Sequence, residues 1–459
     1  MTTNRHHEST QAANFLNNID RSIRLTGDSK YNTREGARFE LVDKHYNIYI
    51  TQCYCKTFLN MTKNSKNPET QAVHLGRDPL AQNGFVNPPT YRGSTVIQPS
   101  VEAFEEAQAN KFTHGRIVYG TFGTPHGLAL DRTIAEMEGA HDAVSVCSGL
   151  AAISTAMLAF VESGDHILVA DSVYYPTRSF CSETLARLGV DTTYYNPVIG
   201  SDIESLIQPN TRLIYLESPG SLTFEIQDIP AITAIAQQRN IVTLLDNTWG
   251  TPLYFKTFDH GVDVSIHAAT KYIVGHADAL LGMICANEKH FETIKMSASR
   301  LGQCAGPDDV ALALRGLRTM PLRLKQHEQQ ALKLAIWLEA QPQVSSVLHP
   351  ALESHPGHEL WKRDFLGSCG LFGVVLSDIP KHAVSAMLND MSLFSLGASW
   401  GGFESLILPM HPETFRQFKT WDDSGPLLRI HAGLENLEDL KDDLASGFER
   451  LNLAAQKTA

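Results

Sequence analysis

Two residues near the middle of the chain carry the chemistry first. Lys271 stands just past an apolar run, 262–266, in the segment His267-Ala268-Ala269-Thr270-Lys271-Tyr272-Ile273-Val274-Gly275-His276. Asp246 closes the preceding run, 241–245, in Asp246-Asn247-Thr248-Trp249. An amine desolvated at a strand end has a lowered pKa and serves as imine partner and general base. A carboxylate at the next strand end can hold a pyridine nitrogen in its protonated form. Pyridoxal 5′-phosphate (PLP) needs both, together with phosphate donors and a face on which to stack its ring. Upstream, Ser145-Val146-Cys147-Ser148-Gly149-Leu150-Ala151-Ala152 reads as strand, tight turn and helix start, where free N–H groups make an anion site. Thr270 adds a hydroxyl for the phosphate, and Tyr174, after the run 166–170, offers the ring face. Taken singly, each has an ordinary reading: a solvated loop lysine, a turn aspartate, a plain Ser-Gly turn, a rim tyrosine. Their fall on successive strand ends joins them. His276 reads as a hydrogen-bonded structural histidine rather than a ligand.

The elements that must position these residues alternate in sequence. Strand candidates are 143–147, 166–170, 213–216, 241–245 and 262–266, with helix-length segments at 150–160, 176–188 and 229–239. Apolar β-branched runs bounded by Gly, Asp and Asn predict a parallel α/β sheet covered on both faces, with ligands gathered at the strand carboxyl ends. After about residue 310 the pattern changes to a long amphipathic helix at 322–340, strands at 372–376 and 427–431, and a closing helix at 434–451, a second α/β domain.

Bulk properties agree with a small-molecule enzyme. A chain of 459 residues, 43% hydrophobic, can bury two cores. Its net charge of −12 disfavours nucleic acid and anionic membrane as partners. Seven scattered cysteines read as reduced thiols of a cytoplasmic protein, and there is no signal-like or membrane-spanning stretch. Residues 1–60 are polar, with one short β-prone run at 46–50, and are expected to be a disordered extension ahead of a start at Met61. The thiols of Cys53 and Cys55 there make only half a metal site, and His355-Pro356-Gly357-His358-Glu359, in a loop-like stretch, lacks zincin spacing, so no metal is expected.

From about 68 to 450 the chain resembles the PLP enzymes of cysteine and methionine metabolism, and among them the bacterial cystathionine β-lyases. The segments around Asp246 and Lys271 carry the resemblance, with Glu217-Ser218-Pro219-Gly220-Ser221, Leu314-Arg315-Gly316-Leu317-Arg318-Thr319 and Ser399-Trp400-Gly401-Gly402-Phe403-Glu404-Ser405. It implies fold type I: an arm at 61–118 reaching a neighbouring subunit, a PLP-binding domain at 119–317 on a mainly parallel seven-stranded sheet, and a smaller C-terminal α/β domain at 318–459. A homotetramer built as a dimer of dimers follows from it as well. Lys271 then resembles the imine lysine, Asp246 the pyridine partner, Tyr174 the stacking tyrosine, and Gly149, Leu150 and Thr270 the phosphate donors. Arg429 resembles the arginine that grips the substrate carboxylate, with Ser399 and Trp400 beside it. The resemblance also implies that Tyr119 is lent across the subunit interface to act at the neighbour's cofactor, together with Thr121.

Ser218 to Ser221 and Trp400 resemble β-lyases rather than their γ-acting relatives. The implied reaction cleaves L-cystathionine to homocysteine, pyruvate and ammonia, a step of transsulfuration in methionine biosynthesis. Alternatives are a cysteine or cystine desulfhydrase, another cysteine-conjugate β-lyase, a γ-acting relative, or a PLP-binding protein without turnover. One position departs from the family: Tyr119-Gly120-Thr121 has threonine where the family commonly has a phosphate-facing arginine, which implies either a weaker hold on PLP or compensation by nearby Arg116.

Overall fold

The computed structural model describes residues 66–113 and 115–456. The expected extension at 1–60, its β-prone run, Cys53, Cys55 and Met61 lie outside the described residues.

Seven strands form the larger sheet: β1 (Asp142–Val146), β2 (His166–Ala170), β3 (Asp191–Tyr195), β4 (Thr211–Glu217), β5 (Val242–Asp246), β6 (Val264–His267) and β7 (Gly282–Ala286). Their order is β1-β7-β6-β5-β4-β2-β3. β2 to β6 run parallel, whereas β7 is antiparallel to both of its neighbours. All residues of β2, β6 and β7 are buried, as a sheet covered on both faces requires.

Five of these strands match the sequence reading to within two residues at either end. β3 and β7 do not figure in it. β3 is an edge strand, Asp-Thr-Thr-Tyr-Tyr, too polar to register as an apolar run. β7 opens on glycine and follows β6 with no helix between them, so the chain returns antiparallel where a helical crossover would have kept it parallel. Lys271 lies on that return. The helix expected at 176–188 begins as an α-helix at Tyr175–Ser179 and passes through a π-turn at Phe180–Leu185.

The second sheet is antiparallel, in the order β10-β11-β9-β8, from β8 (Val344–Leu348), β9 (Leu371–Leu376), β10 (Leu406–Met410) and β11 (Leu427–His431). Alternation sorts its side chains. Phe372, Val374 and Leu376 of β9 and Leu428 and Ile430 of β11 join a core with helices Met320–Glu339, Lys381–Leu388 and Leu437–Gln456. Leu371, Val375 and Leu427 turn to the opposite face and pack into the core of the larger sheet. Arg429 shares that face with Leu427 and is thereby aimed at the strand ends of the larger sheet. The stretch 355–359, expected as loop, already contains the start of the helix His358–Asp364.

Candidate active site

The β6–β7 connection is folded tightly around Lys271. Its backbone N–H donates to Ala268 O at 3.0 Å, and Gly275, at φ +73°, accepts the turn beyond it. Arg323, from helix Met320–Glu339, donates to Tyr272 O at 2.8 Å and ties this turn to the C-terminal half. Gly401, at φ +83°, lies flush on Lys271: a Cβ there would meet its Cα at 3.0 Å. The ammonium of Lys271 donates to Ser399 Oγ at 2.7 Å and sits 5.4 Å from the Trp400 ring centroid. Burial, then repulsion from Arg429, lower its pKa from 10.5 to about 8, against an opposing attraction from Asp246. An amine so placed loses its proton readily.

Arg429 is half-buried behind it. One nitrogen, Nη2, donates to Ser399 O at 3.0 Å and Gly397 O at 3.3 Å. Among the described residues Nε and Nη1 meet no acceptor at hydrogen-bond distance, which leaves guanidinium donors for a carboxylate. His431, two residues on and on the same face, accepts from Gly401 N–H at 3.2 Å and lies tilted against the rings of Tyr272 and His327. Burial drives His431 down to about 3 and His327 to about 4, so both are neutral supports of the Trp400–Gly401 turn. The period-2 spacing from Arg429 to His431 is visible in the sequence as Leu427-Leu428-Arg429-Ile430-His431.

Asp246 ends β5 in register with Glu217 at the end of β4, so two carboxyl groups share one buried site. Asp246 accepts from Thr248 N–H at 3.0 Å and from the Thr248 hydroxyl. Desolvation raises it, while Thr248, His267 and Lys271 pull against that rise. Glu217 accepts from Tyr174 N–H at 2.7 Å. Burial first and the Asp246 charge second push Glu217 well above the carboxylate range, so it is the member that keeps the proton. Sequence reasoning noted Glu217 only within a motif, because strand register is invisible before the sheet is assembled. Tyr174 is 46% exposed and its hydroxyl lies within the field of Glu217, Asp246 and Arg429.

Behind β1, Ser148 caps helix Gly149–Leu158 by accepting from Ala151 N–H at 3.1 Å. A Cβ at Gly149 would meet that of Ala268 at 2.6 Å, so only glycine lets this helix start approach the Lys271 turn. The helix N-terminus presents backbone donors there, with Leu150 partly exposed beside it. Thr270 Oγ1 is engaged with Leu281, accepting from its N–H at 2.9 Å and donating to its O at 3.2 Å. It nonetheless lines one cavity of about 570 Å³ with Ser399 and Trp400.

The structure thus brings Lys271, Asp246, Tyr174, Arg429, Ser399 and Trp400 into one neighbourhood, with Gly149 and Thr270 beside the Lys271 turn. Tyr119 and Thr121 are not among them. Tyr119 precedes the short turn Gly120–Phe122, Thr121 lies within it, and both line a separate cavity of about 320 Å³ with Asp131 and Lys295. Arg116 donates to Glu106 at 2.8 Å in an exposed pair. His276 Nδ1 pairs with Val274 O at 2.7 Å, the structural use expected of it.

These groups fit PLP. A poised amine, a buried carboxylate pair able to carry one proton, a partly exposed ring and a glycine-opened helix N-terminus are four different chemistries, and the cofactor uses each one. Comparison with known proteins agrees. Residues 69–449 match the family described as Cys/Met metabolism PLP-dependent enzyme. The chain is 43% identical to Escherichia coli cystathionine β-lyase MetC, over 84% of this chain and 99% of that one. It is 40% identical to the L-alanine/L-glutamate racemase of Wolbachia pipientis wMel, over 85% and 98%. Among solved structures it superposes on metB from Corynebacterium glutamicum with a TM-score of 0.76, at 29% identity, over 84% of this chain and 99% of that one. The fold type I architecture expected from the motifs is therefore the one observed, and with a family match spanning most of its length the chain belongs to the Cys/Met metabolism PLP-dependent enzymes.

Proposed function

We propose that the protein is a carbon–sulfur β-lyase acting on L-cystathionine, releasing homocysteine, pyruvate and ammonia. One observation carries the reading: Lys271, with a pKa of about 8, stands beside an arginine with unclaimed donors, at a mouth walled by Ser399 and Trp400. Asp246 would hold the pyridine nitrogen, Tyr174 the ring, and Gly149, Leu150 and Thr270 the phosphate, with Tyr119 and Thr121 lent by a neighbouring chain. When bound, the cofactor supplies the sink for carbanion charge at Cα.

The chain's own residues do the rest. Arg429 grips the substrate α-carboxylate through its guanidinium fork and fixes which Cα bond faces Lys271. The neutral Lys271 amine takes the Cα proton, and Ser399 Oγ, at 2.7 Å, aims that amine. The resulting Lys271 ammonium, or a tyrosine at the mouth, returns a proton to the departing β-thiolate. Trp400, packed on Tyr272 at 5.5 Å between centroids, walls the leaving-group side.

Support for the β-lyase over sister activities comes from the E. coli relative and from Ser218 to Ser221 and Trp400. The Wolbachia relative motivates a second reading, amino-acid racemisation, which shares Cα proton removal and lacks a leaving group. Purified protein given L-cystathionine, L-cysteine, L-cystine and L-alanine separates the readings. Pyruvate with thiol release supports the lyase. 2-Oxobutyrate indicates γ-elimination, D-alanine without pyruvate indicates a racemase, and full turnover by Lys271→Ala would overturn the mechanism.

The same reading places the protein in methionine biosynthesis in the cytoplasm, as a homotetramer. No helix among the described residues is long and apolar enough to cross a membrane. The separation of Tyr119 and Thr121 from Lys271 within one chain supports exchange of these residues between subunits. Light scattering of the native protein checks the tetramer.

A further inference from the structure

A buried ion network lies next to the site without entering it. Asp171 follows β2, three residues before Tyr174, and its carboxylate is fully buried. It accepts from Arg178 Nη1 at 2.8 Å, Arg416 Nε at 2.9 Å and the backbone N–H groups of Gln417 and Phe418 at 2.8 and 2.9 Å. Arg416 belongs to the loop between β10 and β11, and its side chain is 1% exposed. Its other nitrogens donate to Thr223 Oγ1 at 2.7 Å and Glu225 Oε1 at 2.9 Å, and its guanidinium lies 5.1 Å from the Trp421 ring centroid. Two guanidiniums face two carboxylates, so the network is neutral as a whole and satisfied in detail, as burial of four charges demands.

Two turns of the site hang from this network. Asp171 fixes the backbone leading to Tyr174, whose own N–H is held by Glu217. Glu225 O accepts from Gly220 N–H at 2.9 Å, and Ser172 O accepts from Ser221 N–H at 2.7 Å, so the Ser218 to Ser221 turn is pinned to the same scaffold. Arg416 is the charged member that comes from the loop between β10 and β11, where the Gln417 and Phe418 N–H groups also reach Asp171. The hydrogen bonds of Arg416 go to Asp171, Thr223, Glu225, Phe418 and Thr420 rather than to Lys271, Asp246 or Arg429, and the anchors of Arg429, Gly397 O and Ser399 O, lie outside the network.

We infer that Arg416 is a positioning residue: through Asp171 and Glu225 it sets, from the smaller sheet, the two turns that carry Tyr174 and Ser218 to Ser221. This rests on the reading that Tyr174 faces the cofactor. A guanidinium spans Asp171 on one edge and Thr223 and Glu225 on the others; a lysine ammonium on a shorter stem cannot reach all of them at once.

The test uses Arg416→Lys, Glu225→Gln as a milder lesion in case the first does not fold, and the exposed Lys419→Ala of the same loop as control. Hydrogen exchange on the cofactor-free protein is read over 171–178 and 218–225, alongside kcat and KM of the loaded enzyme. The expected result is faster exchange in those two segments with β5 and β6 unchanged, a fall in kcat of about 10- to 100-fold, and KM within about twofold, because the Arg429 grip is untouched. Lys419→Ala should match the parent. Parental kcat and parental exchange in Glu225→Gln and in any folded Arg416→Lys would overturn the inference, as would exchange rising evenly through the molecule. Should the parent protein cleave none of the sulfur amino acids, the lyase reading fails, and the exchange pattern still decides the placement of Arg416.

Discussion

Covalent capture of PLP by the cofactor-free protein should report the ionisation of Lys271 directly. Only the neutral amine attacks an aldehyde. With its pKa lowered to about 8 from 10.5, about one Lys271 in ten is neutral at pH 7, against about one in three thousand for a solvated lysine, an advantage of roughly 300-fold. The uptake rate should climb about tenfold per pH unit from about pH 6, bend near 8, and be flat by about 9.5, where a solvated lysine would still be climbing. Arg429→Met removes the repulsion and should move the bend up; Asp246→Asn removes the attraction and should move it down. Stopped-flow absorbance after mixing with PLP measures the rate, with a free-amine series run in parallel to correct for the cofactor's own titration. A climb that continues unbent to pH 9.5, or a bend indifferent to both substitutions, would refute the reasoning. The same depression has a stability consequence. Because the folded value lies below the unfolded one, the unfolded chain holds more protons between about 8 and 10.5, and this group's contribution to stability rises with pH across that window.

Three further perturbations have defined outcomes. Glu217 is held in its acid form, so Glu217→Gln should keep near-parental kcat, whereas Glu217→Leu strips Tyr174 N–H of its acceptor and should cost about 1–3 kcal/mol in denaturant melts. Because Glu217 is raised in the folded state, its contribution is intact below about 4.5 and is lost as pH rises, a slope that Glu217→Gln should remove from a pH series of melts. Gly149→Ala would drive a methyl toward Ala268 and push the helix start from the Lys271 turn; fluorescence titration should show PLP binding weakened by about tenfold or more. Thr121→Arg should tighten PLP binding about tenfold at low ionic strength and less in salt, and an unchanged affinity would count against a neighbour-lent phosphate contact.

Much of the larger sheet was legible because its strands are short apolar runs closed by Asp, Asn or Gly, and because motif residues followed them. β7 escaped because an antiparallel return leaves no helical crossover in the pattern, although that return is what holds Lys271. Family resemblance supplied Arg429, and alternation along β11 explains its aim. What stayed hidden depends on register or on distant approach: Glu217 beside Asp246 across a β4–β5 rung, Gly149 against Ala268, and Arg416 reaching Asp171 across some 245 residues of chain. No local pattern encodes such pairs, since each partner reads separately as an ordinary strand-end acid, turn glycine or loop arginine.

The Glu217–Asp246 rung has a consequence for how the protein fares in a cell. Two carboxyl groups on adjacent strands share one buried site, so with Glu217 holding its proton the charge left on Asp246 is a cost to the fold. A protonated pyridine nitrogen seated against Asp246 would relieve it, and ligand saturation at about 100 times Kd adds about 2.7 kcal/mol to the folded state. Nutrient supply then becomes a folding variable: cells short of vitamin B6 should accumulate less of this protein and degrade it faster, and cultures fed pyridoxine should yield more of it from the same message.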